Sequence, residues 1–273
     1  MKDLISECSG LATVLESVSE VAAYLWQNGW AERNAGNLSV DVTDLLSGQG
    51  DLSATGPALP LEFVYPDLAG RCYLVTGTGR RYRDLCRDAC RNSCIVRMSD
   101  GGTDYSLVWG GEGTRDFRPT SEWPSHLRIH EFLRQSGAEE RVVLHTHPTE
   151  IIAVTHLPDY LDEPDLQRAL LCTHPEVKVT LPRGAGLVPY TVPGTEALAQ
   201  ATVDVFRRGY PVAIWQWHGV VAIGTEVTQA FDLIDTVNKS AKVLLLIHSA
   251  GHKPQGLGKE QLDELVSTFG LKE

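Results

Sequence analysis

A chain of 273 residues with 42% hydrophobic and 22% charged residues can bury a sizeable core. Its net charge of −11, with a pI near 5.3, excludes broad electrostatic attraction to nucleic acid or an anionic membrane, so a phosphate must be held by loop amides, a helix start or a cation. No apolar run approaches a membrane span, and the acid-bearing opening at residues 1–7 lacks the apolar core of a signal peptide, so the expected compartment is the cytoplasm, with cysteines 8, 72, 86, 90, 94 and 172 as free thiols.

Residues 4–28 are expected to form a packing helix, with Leu11, Val14, Leu15, Val18, Val21, Ala22 and Leu25 on one stripe and Asn28-Gly29 as the stop. The next stretch, Gly29-Trp30-Ala31-Glu32-Arg33-Asn34-Ala35-Gly36-Asn37, precedes an alternating Leu38-Ser39-Val40 strand. It reads either as an anion-cradling loop, with Asn34 and Asn37 as donors, or as an ordinary helix-to-strand turn. Residues 41–70 read as a surface excursion with short strands. Strand 72–75 then runs into Thr76-Gly77-Thr78-Gly79, a second candidate phosphate loop that lacks the G-K-[ST] ending of a P-loop.

Cys86, Cys90 and Cys94 would share one face if helical, either as a cluster site or as small half-buried residues. Residues 94–109 read as a hairpin turning at Asp100-Gly101-Gly102, so the sheet is not purely parallel. Thr120 and Ser121 are N-cap types ahead of a helix over 125–135, and Pro124 suits its first turn. Glu122 therefore stands at a helix start, either as a dipole-facing acid or as a general base.

Val142-Val143-Leu144-His145-Thr146-His147-Pro148 organises the rest. The apolar run reads as a buried strand, and its period of two points His145 and His147 the same way, as a divalent metal requires. After a short helix near 151–155 and a mixed segment, 177–181 is expected to be a strand, 183–186 and 189–194 turns, and 195–208 a helix with Ala197, Leu198, Ala201, Val205 and Phe206 on its stripe. Residues 211–224 read as two strands broken at His218-Gly219, where His218 is either a third ligand or a hydrogen-bonded core histidine. Two helices, 229–250 and 259–269, close the chain. The pattern predicts one α/β domain over residues 1–273, a three-layer α/β/α arrangement with a mixed, mostly antiparallel central sheet.

G-W-A-E-R-N-A-G-N-L at 29–38, T-G-T-G at 76–79, P-T-S-E at 119–122, H-T-H at 145–147, the P-R-G-A-G…V-P-G run at 182–194 and W-H-G-V at 217–220 occur in one order and spacing. Together they resemble the class II, zinc-dependent sugar-phosphate aldolases over nearly the whole chain, a family that also holds epimerases and a noncatalytic cytoskeletal branch. The resemblance implies one Zn2+ per subunit on His145, His147 and His218, and Glu122 as catalytic acid/base. It implies a substrate phosphate site from Asn34, Gly36, Asn37, Thr78, Gly79, Thr120 and Ser121. It further implies a homotetramer with interfacial sites, in which Glu176 reaches into a neighbour, and a small sugar phosphate as substrate. Ala35 and Thr78 depart from the Gly and Ser common in close relatives.

Overall fold

Strand register decides where the chemistry of this chain collects. The computed structural model describes residues 4, 8–48 and 52–272. Among these, β1 (Asn37–Asp41), β2 (Leu59–Pro60), β3 (Cys72–Thr76), β4 (Ser93–Met98), β5 (Asp104–Gly110), β6 (Val142–Thr146), β7 (Gly186–Val188), β8 (Val212–Trp215) and β9 (Gly219–Gly224) form one sheet. Its order is β2-β5-β4-β3-β1-β6-β9-β8-β7. Every neighbouring pair is antiparallel except β7 and β8, which makes the sheet mixed and mostly antiparallel, as expected.

The main helices are α1 (Ser9–Gln27), α2 (Trp123–Ser136), α3 (Thr149–Val154), α4 (Glu163–Leu171), α5 (Pro175–Thr180), α6 (Glu196–Arg207), α7 (Val227–Ser249) and α8 (Lys259–Phe269). They cover both faces of the sheet. On one face, Leu11, Val18, Val21 and Leu25 of α1 and Ile234, Val237, Ala241 and Leu244 of α7 bury Leu38, Val40, Leu144 and Val220. On the other, α2 and α6 cover Val143, Val221 and Ile223, and Trp123 and Leu127 of α2 pack on Tyr73, Val75 and Val96. Each fully buried Leu or Val contributes about 1.5–3 kcal/mol by leaving water, so the strands are held from both sides. β6, buried along its whole length, reads as a near-continuous apolar run for that reason.

The stripe on α1 falls as its spacing predicts, and Asn28 caps it. The expected start at residue 4 lies partly among residues 5–7, outside those described, as does part of the 41–70 excursion at 49–51. Four expectations are corrected. Residues 177–181 are not a strand: α5 takes residues 175–180, begun by Pro175 and docked through buried Val177 and Lys178. Packing overrides the β preference of Val177, Val179 and Thr180 there. Lys178 donates from Nζ to the Pro182 carbonyl at 2.8 Å. Ala197 is exposed in the first turn of α6, whose buried face instead includes Ala199 and Thr202. The three spaced cysteines share no helix, since Cys86 ends the turn Tyr82–Leu85, Cys90 lies in Ala89–Asn92 and Cys94 enters β4. The segment expected to be turn material contains β7, a three-residue parallel edge strand too short to signal itself in the sequence. No helix among the described residues is long and apolar enough to cross a membrane.

Candidate active site

One end of the sheet gathers the loops that matter. β1 starts there with Asn37, which pairs with His145 near the end of β6. β9 starts there with Gly219, and β3 ends there at Thr76. Period-two alternation then points Asn37, Ser39 and His145 toward α2, while Leu38, Val40 and Leu144 face α1.

His145, His147 and His218 converge, with one ligand atom from each all within 4.8 Å of one another. Their ring centroids form a near-equilateral triangle: 4.9 Å between His145 and His147, 5.1 Å between His145 and His218, and 5.0 Å between His147 and His218. Gly219 makes this approach possible, because a Cβ there would stand 2.6 Å from the Thr146 carbonyl oxygen and 2.9 Å from the His147 ring. The preceding turn is tight. Trp217 adopts φ +63°, held by hydrogen bonds from its backbone N–H to Thr155 Oγ1 (3.1 Å) and from its indole to the Thr155 carbonyl (2.8 Å).

Hydrogen-bond chemistry fixes the proton on two of the rings. The Val220 carbonyl can only accept, so His145 donates from Nδ1 at 3.0 Å. The Glu32 carboxylate can only accept, so His147 donates from Nδ1 at 3.0 Å. With both rings neutral, both Nε2 atoms are bare lone pairs, and they lie 3.2 Å apart. Two acceptors facing each other at that distance call for a cation between them. His218 Nδ1 is buried with no protein partner, a further nitrogen available to a ligand. Burial, reinforced by the other two rings, holds the His145 pKa well below its ordinary value, and burial followed by His147 lowers that of His218. Neutral imidazoles are what a borderline divalent metal binds, and three protein ligands leave a coordination position open. The donor set fits a divalent metal, zinc included.

Glu122 sits beside this cluster, its Oε2 3.7 Å from His145 Nε2. It is the N-cap of α2, with its backbone N–H donated to Thr120 Oγ1 at 3.3 Å. Its carboxylate accepts from Asn37 Nδ2 at 2.8 Å. The structure thus brings four sequence-predicted residues, His145, His147, His218 and Glu122, into one place.

The residue range 16–245 matches the family described as Class II Aldolase and Adducin N-terminal domain. The chain belongs to the class II aldolase and adducin family. A rhamnulose-1-phosphate aldolase from Bacteroides thetaiotaomicron is 35% identical over 272 residues, covering 99% of each chain. One from Escherichia coli is 34% identical over 249 residues, covering 90% of this chain and 89% of the relative. The crystal structure of a sugar-phosphate aldolase from Thermotoga maritima superposes with a TM-score of 0.77 at 29% identity, covering 90% of this chain and 100% of that one.

The T-G-T-G and P-T-S-E elements of this class II family member meet at the same end of the sheet. Thr78 and Arg118 are joined by a backbone hydrogen bond of 3.0 Å, and Thr120 and Thr76 by one of 2.8 Å, so the T-G-T-G turn and the P-T-S-E element lie side by side. Thr78, Gly79, Ser121 and Asn34 are exposed, and Gly36 is half-buried. Gly36 has φ +78° and lies against the His145 carbonyl, 2.8 Å from where a Cβ would be. Asn37 is 7% exposed, and its amide is engaged by Glu122 and His126. Glu176 stands apart: it is exposed on α5 and pairs with His174, which lowers its pKa after a local backbone hydrogen bond.

Sequence reasoning passed over Glu32, which orients His147, and Tyr82, whose buried hydroxyl reaches the His145 carbonyl at 3.3 Å. Glu32 lay inside a quoted motif. It also passed over His126 and His130, whose i, i+4 spacing on a helix was the available signal.

Proposed function

We propose that this chain is a metal-dependent aldolase that reversibly cleaves L-rhamnulose 1-phosphate into dihydroxyacetone phosphate and L-lactaldehyde. The observation that carries the reading is the carboxylate of Glu122, 3.7 Å from a histidine whose bare Nε2 faces a second bare Nε2. Near-complete coverage of rhamnulose-1-phosphate aldolases at 34–35% identity selects the substrate. His145, His147 and His218 would hold one Zn2+ per subunit. When bound, the ion supplies Lewis acidity at the ketose oxygens.

The chain's own groups do the rest. In cleavage, the C3–C4 bond breaks as the C4 hydroxyl gives up its proton, and Glu122 delivers a proton in its place to C3 of the dihydroxyacetone phosphate half; in condensation it removes that C3 proton as the new C4 hydroxyl gains one. Asn34, Gly36, Asn37, Thr78, Gly79, Thr120 and Ser121 would bind the phosphate and so fix the reacting carbons. Thr78 and Ser121 are the best placed of these, since both are exposed and present hydroxyls at the open end of adjacent loops. Glu176, exposed and paired with His174 in its own chain, would act in a neighbouring subunit's site within a cytoplasmic homotetramer.

A direct assay decides this. Purified protein should cleave rhamnulose 1-phosphate faster than fuculose 1-phosphate or ribulose 5-phosphate. A chelator should reduce cleavage to background, and added zinc should restore it. Full activity in metal-free protein, or a preference for another ketose, would overturn the reading.

A further inference from the structure

Behind Glu122 and Asn37 lies a buried file of polar groups, His126, Ser39 and His130, that no step above uses. Asn37 Oδ1 is 2.5 Å from His126 Nε2, His126 Nδ1 is 2.7 Å from Ser39 Oγ, and Ser39 Oγ is 2.7 Å from His130 Nε2. His126 is 2% exposed, His130 3% and Ser39 0%. The His130 ring lies tilted at 40° against Tyr73, 4.6 Å between centroids, and helps line a cavity of about 420 Å³ with Arg71 and Arg134.

The direction of every hydrogen bond in this file follows from its first member. A carboxylate can only accept, so Asn37 must turn its NH2 to Glu122. Its carbonyl oxygen then faces His126, which must donate from Nε2. Burial pushes the pKa of His126 and of His130 down to about 3, so each ring is neutral and carries one proton. His126 Nδ1 is therefore bare, and Ser39 must donate to it. The Ser39 oxygen is left to accept from His130 Nε2. One arrangement satisfies all four contacts. An Asn37 amide turned end for end would face its oxygen against the carboxylate and its NH2 against the His126 N–H, a clash relieved only if His126, Ser39 and His130 all reversed their protons.

We propose that His126, backed by Ser39 and His130, is a positioning residue that locks the Asn37 amide so that its NH2 holds the Glu122 carboxylate beside the histidine cluster. The idea rests on the aldolase reading for its kinetic consequence but not for its geometry. An asparagine amide is nearly symmetric in shape, so packing alone chooses poorly between its two orientations. A helix-borne histidine pair spaced i, i+4 makes that choice from behind, on a rigid element.

Isotope-labelled histidine NMR on the zinc-loaded protein tests the geometry. His126 and His130 should both be neutral Nε2–H tautomers near neutral pH; a His126 protonated on Nδ1 instead would overturn the proposal. Kinetics test the role. His126→Phe removes the donor and should lower kcat about tenfold, the worth of one hydrogen bond, with full zinc content. His126→Gln keeps an N–H near the Nε2 position and should restore most of that loss. Wild-type kcat in His126→Phe, or equal loss in both variants with unchanged melting temperature, would overturn it. Failure of the wild-type chain to cleave rhamnulose 1-phosphate would sink the functional reading alone, because the tautomer result stands independently of it.

Discussion

The two faces of the central sheet carry different cargoes although they share the same strands. Along β1, Leu38 and Val40 enter the mainly apolar layer under α1 and α7, while Asn37 and Ser39 enter a polar patch within the layer under α2. Along β6, Leu144 joins the first layer and His145 the second. Adjacent residues thus belong to separate regimes, one of burial and one of directed hydrogen bonds. A sheet can hold a reactive site at its end because the opposite face contributes mainly apolar burial and meets the site only at points such as the Tyr82 hydroxyl on the His145 carbonyl.

Substitutions on each face should separate these roles. The largest effect belongs to the polar face: Glu122→Gln should lower kcat by about two to four decades while retaining zinc and fold, since it removes an acid/base group but keeps a side chain that Asn37 can still hold. Native turnover in that variant would end the assignment. On the apolar face, Leu144→Ala should cost about 2–5 kcal/mol of unfolding free energy from a position that is 0% exposed, with kcat per folded molecule nearly unchanged. A matching loss of kcat would show that the faces are coupled.

The most gradual effect is in acid. His126 and His130 are held near pKa 3 in the fold, against about 6.5 when unfolded. Below pH 6.5 the unfolded chain therefore binds protons that the fold refuses. Stability is complete above that pH and declines toward pH 3, by up to about 1.4 kcal/mol per pH unit for each ring. Denaturant unfolding of metal-free His130→Phe across that window should show a shallower decline than wild type; identical slopes would mean the buried ring does not resist protonation.

Much of this was legible in the chain. Helix α8 matches its expected span of 259–269, and the hairpin of β4 and β5 follows its Asp-Gly-Gly turn, because local periodicity and turn chemistry decide both. The metal-ligand candidates could be read because a buried strand displays alternate residues on one side. The file behind Glu122 could not. Its bonds join Ser39 to residues 87 and 91 positions away, and no local pattern encodes such a pairing. Helix α5 was missed for a related reason, since its Val-rich sequence takes its conformation from the helices it docks against.

The turn between β8 and β9 separates what can be redesigned from what cannot. Position 219 is closed to any side chain by backbone on one flank and imidazole on the other. Two residues earlier, Trp217 is 46% exposed and bends the chain in a manner that glycine or asparagine adopts more readily. Libraries aimed at new aldehyde acceptors therefore have a natural entry point at 217, with the ligand-bearing stem left as a fixed frame.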